Sequence, residues 1–222
     1  MIRRQAGRFI TFEGIEGVGK STHIGFMADY LREAGKAVVV TREPGGTAFG
    51  ELLRGILLDP GGEAMSPETE TLLMFAARAE HVVRVIRPAL ATGKWVISDR
   101  FTDATYAYQG GGRKVAKKHI NNLECFVHSD LRPHLTFLLD APPDTALARI
   151  RERCGSDRFE GERIEFFSLV RTHYLDLARE HPDRIRVIDA SEPIADVRAQ
   201  LVRALQETIS VVAPRGFQAI QS

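Results

Sequence analysis

An eight-residue run near the N-terminus constrains the fold of this chain more than any other feature. Residues 14–21, GIEGVGKS, fill every fixed position of the pattern G-x-x-x-x-G-K-[S/T]. A short apolar run at 8–12 predicts a buried strand before it, and the pattern after it predicts a helix over 22–34. The glycines let backbone N–H groups turn inward around a polyphosphate, and the positive end of the helix faces the same anion. The sequence therefore predicts a phosphate-binding loop.

Two side chains of the loop add chemistry to its backbone. Lys20 brings a mobile positive charge to the terminal phosphates, and the hydroxyl of Ser21 is placed to ligate Mg²⁺. A chance glycine-rich turn is the alternative, and the flanking strand and helix disfavour it. The predicted nucleotide-binding residues are Gly14, Ile15, Glu16, Gly17, Val18, Gly19, Lys20, Ser21 and Thr22.

Short apolar runs alternate with helical patterns along the rest of the chain. Strands are predicted at 8–12, 37–41, 95–98, 135–139 and 185–188, and helices at 22–34, 48–58, 67–92, 115–128, 144–153, 163–181 and 194–211. Strands that are apolar nearly throughout are typical of a parallel sheet covered on both faces. We expect one doubly wound α/β domain of the P-loop NTPase type over residues 1–212, with about five parallel strands, and a loose tail over 213–222.

Composition excludes several classes of protein. The chain has 222 residues, 44% of them hydrophobic, which suffices for one sizeable core. A net charge of +1 argues for neither a nucleic-acid partner nor a membrane surface. Because no apolar run reaches membrane-spanning length and none opens the chain, we expect no membrane span and no signal peptide. Cys125 and Cys154 lack metal spacing and are interpreted as incidental or buried thiols in a reducing cytosol.

Charged residues follow the second and third predicted strands, at the edge of the sheet where active sites lie. In the run TREPGGT at 41–47, Arg42 can grip a phosphate with two parallel hydrogen bonds, and Glu43 can order that arginine or the waters of a metal ion. Asp99 ends the third strand, where P-loop enzymes place a carboxylate near Mg²⁺, and Arg100 follows it into the same cleft. A tight turn and a strand cap are the structural alternatives, which the neighbouring phosphate loop disfavours.

Two further groups of residues allow more than one interpretation. Arginines cluster beside Gly155, and this spacing is equally compatible with a solvated helix face and with a mobile flap, about 149–162, that closes over a transferring phosphoryl group. Phe75 and Arg78 lie three residues apart on one helix face, where they are either core residues or a pair that stacks on and hydrogen-bonds a base. The glycines at 110–112 predict a break between two helical stretches, as a simple loop or as a close approach to a ligand.

Five runs, taken together, resemble the thymidylate (dTMP) kinases. They are FEGIEGVGKST at 12–22, TREPGGT at 41–47, SDRF at 98–101, AYQGGGR at 107–113 and DRFE at 157–160, and they occur in family order. The combination of REPGGT with DRF and AYQG is far more specific than the phosphate loop. The resemblance implies phosphoryl transfer from ATP, bound with Mg²⁺, to dTMP in a cytoplasmic homodimer packed through helices.

The resemblance also implies roles for individual residues. Lys20 and the loop backbone would hold the ATP phosphates, with Ser21 on Mg²⁺, while Asp99 and Glu43 would organise the metal and its waters. Glu16 together with lid arginines resembles the common bacterial pattern, in which the lid supplies the catalytic arginine. The lid candidates are Arg153 and Arg158, followed by Arg149 and Arg151. The dTMP phosphate would be bound by Arg42, Arg54 and Arg100, and the thymine, or the path to it, would be surrounded by Phe75, Arg78, Thr105 and Gln109.

One departure from the family pattern leaves the stacking residue open. Many members place the stacking phenylalanine four residues before the arginine that recognises the base, but here Met74 occupies that position and Phe75 follows it. Rival functions are a P-loop kinase for another nucleoside monophosphate or a deoxynucleoside, and a P-loop nucleotide-binding switch module. Arg42 and Arg100 favour an acceptor that carries a phosphate, and the absence of an N-K-x-D run disfavours the switch.

Overall fold

The computed structural model describes residues 7–62, 64–151 and 162–209. The strands are β1 Phe9–Glu13, β2 Val38–Arg42, β3 Trp95–Asp99, β4 Leu135–Asp140 and β5 Ile185–Asp189. The helices are α1 Lys20–Glu33, α2 Ala48–Leu58, α3 Pro67–His81, α4 Arg87–Ala91, α5 Thr102–Thr105, α6 Lys117–His128, α7 Pro143–Arg151, α8 Ile164–Glu180 and α9 Ile194–Thr208. Two π-helical segments, Val82–Ile86 and Tyr106–Gly112, continue α3 and α5. Arg153, Cys154, Arg158 and the tail lie outside the described residues.

The five strands form one parallel sheet in the order β2-β3-β1-β4-β5, which confirms the predicted doubly wound α/β fold. Phe12 and Arg42 both lie opposite Asp99, so that the carboxyl ends of β1, β2 and β3 meet at one edge of the sheet. The chain leaves β1 towards β2 and β3 on one side and returns to β4 on the other. The phosphate loop therefore begins at the point in the sheet where ligands of such folds bind.

Successive side chains of a strand point to opposite faces, so the nearly continuous buried runs of β1, β3 and β4 make both faces of the sheet apolar. Ile10 and Phe12 belong to the larger core, which also contains Met27 and Leu201 from the flanking helices. Phe9 belongs to a second core on the opposite face, under the π-helical segment 82–86. Each fully buried side chain of this size contributes about 2 kcal/mol. The strand ends that carry the charged residues are therefore anchored on both sides.

Local signals explain why two helices begin where the sequence predicts. The hydroxyl of Thr47 accepts a hydrogen bond from the backbone N–H of Gly50 (2.9 Å), which caps α2. Ser66 caps α3 in the same way at Thr69 (3.1 Å), with Pro67 at the first helical position. Within the ranges that the structure describes, no helix combines the length and the apolar character needed to cross a membrane.

The glycines at 110–112 depart from the prediction of a break. They lie in the π-helical segment that follows α5, a short helix that the sequence did not predict. A Cβ at Gly111 would lie 2.4 Å from the ring of His173, and one at Gly112 would lie 2.3 Å from the ring of Phe166. The glycines thus allow α8 to pack closely against this segment, and the close approach is to a helix rather than to a ligand.

Candidate active site

The phosphate loop joins β1 to α1 with a backbone that only glycine adopts without strain. Gly14 has a φ of 134°, and a Cβ there would lie 2.3 Å from the carbonyl oxygen of Leu139. Gly19 has a φ of 88° and precedes the first residue of α1, and no side chain of the described residues caps that end. The first N–H groups of α1 are therefore left to an anion at the mouth of the loop.

Lys20 lies across this loop and is held by it. Its Nζ donates to the carbonyl oxygens of Gly14 (3.1 Å) and Ile15 (2.8 Å). Burial lowers the Lys20 pKa to about 8; the nearby Arg100 guanidinium adds to this effect, and Asp99 opposes it. An anionic phosphate would favour the charged ammonium more than two neutral carbonyls do, so the lysine is poised to transfer its hydrogen bonds to a ligand.

A cavity of about 250 Å³ opens beside the loop and brings most of the predicted site residues together. Its lining includes Glu16, Gly17, Gly19, Lys20, Ser21, Thr22, Arg42, Glu43, Arg54, Arg78, Asp99, Arg100, Thr105 and Gln109. Gly14, Ile15 and Val18 are buried and contribute through the shape of the loop. The cavity is also lined by Met74, which the sequence leaves open as the alternative to Phe75, and by Tyr108.

Asp99 and Ser21 fit a divalent cation. Asp99 ends β3, and its buried Oδ1 has no hydrogen-bond partner among the residues that the structure describes. An unpaired carboxylate oxygen in a cavity is the type of ligand that Mg²⁺ takes, and Mg²⁺ commonly needs one or two such protein ligands beside substrate phosphates and water. The described ranges contain no cluster of three or more His, Cys, Asp or Glu that could hold a metal without such help.

Three arginines line the cavity near the strand ends. Arg42 Nη2 pairs with Glu51 Oε2 (2.8 Å), and Arg54 Nη1 donates to the carbonyl oxygen of Pro44 (3.0 Å), which follows a cis peptide bond. Arg100 Nη2 pairs with Glu16 Oε1 (2.7 Å). The glutamate at the variable position of the phosphate loop thus orients the arginine that follows Asp99. This concentration of guanidinium groups suits a second anion beside the one bound by the loop.

Arg100 is held in an uncommon backbone conformation. Its φ is 71°, in the left-handed region, and its backbone N–H donates to the carbonyl oxygen of Phe12 (2.9 Å). Its guanidinium lies 4.6 Å from the ring centre of Tyr108, whose hydroxyl donates to Glu16 Oε2 (2.5 Å). Burial raises the Tyr108 pKa well above its usual range, so the phenol remains neutral and donates to Glu16. Glu16 therefore joins the phosphate loop, Arg100 and Tyr108 in one cluster.

Arg78 is buried at the other end of the cavity, with two of its three nitrogens occupied. Nε donates to Glu43 Oε2 (2.6 Å), and Nη2 donates to the carbonyl oxygen of Phe101 (3.1 Å) and to Thr105 Oγ1 (3.0 Å). Nη1 is buried without a hydrogen-bond partner within the described part of the chain. Because a guanidinium has five N–H donors, two of them remain for a ligand that carries an acceptor.

Met74, rather than Phe75, lies at the cavity wall. Phe75 is only 2% exposed; its ring lies 4.7 Å from the guanidinium carbon of Arg78 and is nearly parallel to the ring of His128. Successive residues of a helix differ by about 100° in direction, so the two neighbours cannot face the same cavity. Of the two residues that the sequence leaves open, Met74 is therefore the one that lines the cavity, while Phe75 packs against Arg78 from the core.

Glu43 is also placed differently from its predicted role at a metal. Its Oε2 accepts from Arg78, and its Oε1 is hydrogen-bonded to His81 Nδ1 (2.8 Å). Burial alone would raise the Glu43 pKa, but Arg78 and His81 bring it below its ordinary value, so the carboxylate is ionised and paired. Asp99 is thus the carboxylate with an unpaired oxygen facing the phosphate loop. The sequence held no signal for these contacts, because Arg78 and His81 lie 35 and 38 residues along the chain from Glu43.

Glu13 is a buried acid that sequence reasoning did not assign to the site. It is fully buried at the end of β1, where Oε1 accepts from the backbone N–H of Phe101 (2.7 Å) and Oε2 accepts from the hydroxyl of Tyr174 (2.7 Å). Burial and the nearby Asp103 carboxylate raise the Glu13 pKa to about 8. Since Phe101 directly follows Arg100, Glu13 fixes the backbone beside the strained arginine.

Glu13→Gln is expected to gain stability relative to the wild type as the pH rises from 5 to 8. The folded-state pKa is raised above the unfolded value of 4.5, so the wild-type contribution is complete below pH 4.5 and is lost as the pH approaches 8. We expect the difference in unfolding free energy to grow by about 1 kcal/mol per pH unit. Urea unfolding at pH 5 and 8 measures it, with the exposed Glu33→Gln as control. Parallel pH profiles for wild type and Glu13→Gln would contradict the shift.

Comparisons with known proteins identify the family of this chain. The model of the thymidylate kinase family matches residues 12–201. The thymidylate kinase of Janthinobacterium sp. (strain Marseille) is 58% identical over 195 residues, which is 88% of this chain and 94% of that protein. That of Bordetella pertussis (strain Tohama I) is 53% identical over 207 residues, or 93% and 98% of the two chains.

A solved structure extends the agreement from sequence to fold. The crystal structure of thymidylate kinase from Ehrlichia chaffeensis superposes with a TM-score of 0.73 at 35% sequence identity. The match covers 90% of this chain and 99% of that one, so it spans the sheet and the cavity rather than the phosphate loop alone. On the family match and on these relatives, the chain belongs to the thymidylate kinase family.

Proposed function

We propose that this protein transfers the γ-phosphoryl group of ATP, bound with Mg²⁺, directly to the phosphate of dTMP, giving dTDP and ADP. The observation that carries the proposal is the composition of one cavity. It has a phosphate loop with Lys20 at one end and, at the other, the buried Arg78 with two N–H donors unused. A donor triphosphate and a nucleotide acceptor would meet between these ends.

The donor end of the cavity would hold the phosphates of ATP. The N–H groups at the start of α1 and the ammonium of Lys20 face the same space, and Ser21 and Asp99 would hold Mg²⁺. Bound there, Mg²⁺ would neutralise charge on the phosphates. The ammonium of Lys20 would stabilise the negative charge that develops on the transferring phosphoryl group, because its contacts in the loop are only to neutral carbonyls.

The acceptor end would bind the dTMP phosphate through Arg42, Arg54 and Arg100. A phosphate monoester is already an anionic nucleophile near neutral pH, so in-line attack needs no strong general base. The work of the protein is then to bring two anions together against their repulsion. Glu16 and Tyr108 keep the Arg100 guanidinium in place for this.

Thymine recognition would rest on Arg78. Its Nη1 donors suit a carbonyl oxygen on the base, with Thr105, Gln109 and Met74 around the ring. Cytosine has an amino group where thymine has a carbonyl, so two donors would face each other and a buried donor would be left unpaired. Discrimination by a polar group of this kind is strong, on the order of 10⁴-fold in kcat/KM. The catalytic arginine is proposed to be Arg153 or Arg158, both outside the described residues.

A coupled ADP-release assay with ATP, Mg²⁺ and each nucleoside monophosphate in turn tests the proposal. We expect rapid turnover of dTMP and little with dCMP, AMP or thymidine. Turnover of a different monophosphate in preference to dTMP would retain the donor site and refute the assigned base recognition. Tight nucleotide binding with no transfer to any acceptor would refute the proposed activity.

We propose further that the protein works as a cytoplasmic homodimer through α2. Phe49, Leu52 and Ile56 recur at helical spacing on one face of that helix, and all three are about half exposed or more. Leu72 of the adjacent α3 is also exposed. An apolar stripe of this kind is typical of a surface that packs against a partner, and the family resemblance implies such a dimer.

Leu52→Glu is expected to convert the proposed dimer to a monomer. The leucine side chain is 69% exposed at the centre of the stripe, and a carboxylate placed there would be desolvated in both protomers of a dimer. Light scattering after size exclusion measures the mass. Ile194→Glu on α9 is the control, because its side chain is comparably exposed but lies on another helix. A Leu52→Glu protein that stays dimeric would exclude α2 as the interface.

A further inference from the structure

A chain of hydrogen bonds runs from Thr41 at the end of β2 through the buried side chains of His81 and Glu43 to Arg78. The hydroxyl of Thr41 is bonded to His81 Nε2 (2.6 Å), and His81 Nδ1 is bonded to Glu43 Oε1 (2.8 Å). Glu43 Oε2 accepts from Arg78 Nε (2.6 Å). Both ring nitrogens of the histidine and both oxygens of the carboxylate thus have partners. The family motifs that point to the activity contain Thr41 and Glu43 but not His81.

Three of the four residues joined by these hydrogen bonds are almost entirely excluded from water. The exposed fractions are 0% for His81, 2% for Arg78 and 6% for Glu43. A buried ion pair gains little net stability, because the cost of removing two charges from water largely offsets their attraction. The ion pair of Glu43 and Arg78 is therefore expected to add little to the free energy of unfolding. Their geometry instead specifies one orientation of the guanidinium.

The loop after β2 closes on the histidine ring. A Cβ at Gly46 would lie 2.6 Å from both Cδ2 and Nε2 of His81 and 2.7 Å from Thr41 Oγ1. Gly46 has a φ of 76°, so a side chain is disfavoured there by the backbone as well. Gly46 therefore lies close against the imidazole and the Thr41 hydroxyl, and the ring is held by one hydrogen bond at each of its nitrogens.

We propose that His81 and Glu43 are positioning residues that set the direction of the Arg78 fork for recognition of the base. Glu43 holds Nε, while the Phe101 carbonyl and Thr105 hold Nη2, so that Nη1 alone is presented with unused donors. His81 keeps the Glu43 carboxylate in the plane that this requires. The inference rests on the proposed dTMP site, and it assigns the ligand of Nη1 as a carbonyl acceptor on the base.

The arrangement also links the two ends of the acceptor nucleotide. Thr41 and Glu43 flank Arg42, which lines the cavity and is proposed to bind the acceptor phosphate. One segment at the end of β2 therefore supplies a phosphate ligand and the support for the base-reading arginine. A lesion in the chain should consequently weaken dTMP binding and leave the ATP side of the cavity unaffected.

His81→Phe provides the first test, because it removes both hydrogen bonds while retaining a planar ring. We expect the KM for dTMP to rise about tenfold, as for loss of a buried hydrogen-bond partner, with the KM for ATP unchanged. His81→Asn, whose amide can donate to Glu43 from near the position of Nδ1, is expected to recover most of this loss. Thr41→Val removes only the hydrogen bond to His81 Nε2 and is expected to raise the KM for dTMP by a smaller factor. It provides the test if His81→Phe does not fold.

A double-mutant cycle separates positioning from general destabilisation. In an Arg78→Met background, His81→Phe is expected to cause no further rise in the KM for dTMP, because the side chain that it orients is gone. Thr11→Val is the control: it removes a buried threonine hydroxyl from the same sheet, where it is bonded to Thr136 rather than to the chain at Arg78. It should lower stability without changing the KM for dTMP.

The outcomes distinguish this inference from the proposed function. A wild-type protein that does not phosphorylate dTMP refutes the function itself. A wild-type protein that does so, with a His81→Phe variant whose KM for dTMP is normal, refutes the positioning role alone. Equal rises in the KM values for ATP and dTMP, or additive effects of His81→Phe and Arg78→Met, would also overturn it.

Discussion

Lys20→Ala is expected to lower kcat by at least about 100-fold while leaving the KM for dTMP unchanged. Lys20 belongs to the phosphate loop, whereas Arg78, which is proposed to recognise the base, is held by Glu43, Phe101 and Thr105. Its ammonium is hydrogen-bonded to two neutral carbonyls, so it would interact more strongly with the negative charge of a bound phosphate than with the loop. Steady-state kinetics with both substrates measure the effect, with the exposed Lys118→Ala as control.

The same variant should not unfold the protein. Burial lowers the Lys20 pKa to about 8, which means that the folded protein disfavours this charge rather than gaining from it. Removing the side chain therefore has little effect on stability, and urea unfolding should give a similar midpoint. An unchanged kcat, or a loss of activity that parallels a loss of structure, would contradict the role assigned to Lys20.

Arg78→Met is expected to raise the KM for dTMP about 100-fold and to reduce the preference for dTMP over dCMP, with a smaller change in kcat. Methionine retains much of the volume but none of the N–H donors, so the carbonyl acceptor of the base would lose its partner. Steady-state kinetics with dTMP and dCMP measure both effects. Arg84→Met, at an exposed position on the same helical run, is the control and should match the wild type.

The Arg78 experiment needs a correction for stability. Removing this arginine leaves the Glu43 carboxylate buried with His81 as its partner, and breaking a buried ion pair costs about 3 kcal/mol. The double variant Glu43→Gln/Arg78→Met removes both charges and should recover part of the loss. If the KM for dTMP stays high while stability recovers, the binding defect belongs to Arg78 itself. A normal KM in either variant would refute the assignment.

Much of the fold could be predicted from the sequence because its signals are local. Each strand of the sheet is a short apolar run, and the structure places all five within one residue of the predicted bounds at either end. The phosphate loop is equally local, since its glycines, lysine and flanking elements lie within about 25 residues of sequence. The predicted convergence of Asp99 and Arg42 at one edge followed from strand direction alone.

The remainder of the site depends on contacts between distant parts of the chain. Glu43 was predicted to order either Arg42 or the waters of a metal ion, but Arg78 and His81 of α3 occupy its two oxygens. Phe75 and Met74 are neighbours in sequence, and only the rotation of α3 in the core decides which one faces the cavity. Likewise, the glycines at 110–112 resemble a turn until α8 is packed against them.

The left-handed conformation of Arg100 has a consequence for how this protein can be changed. A non-glycine residue with a φ of 71° costs of order 1 kcal/mol, and glycine would remove that cost at the expense of the guanidinium. The guanidinium, however, pairs with Glu16 while both side chains are largely buried, and breaking such a pair costs about 3 kcal/mol, which is more than the strain that glycine would relieve. Stability and ligand binding therefore both favour arginine at position 100, and a library screened only for thermal tolerance should retain it.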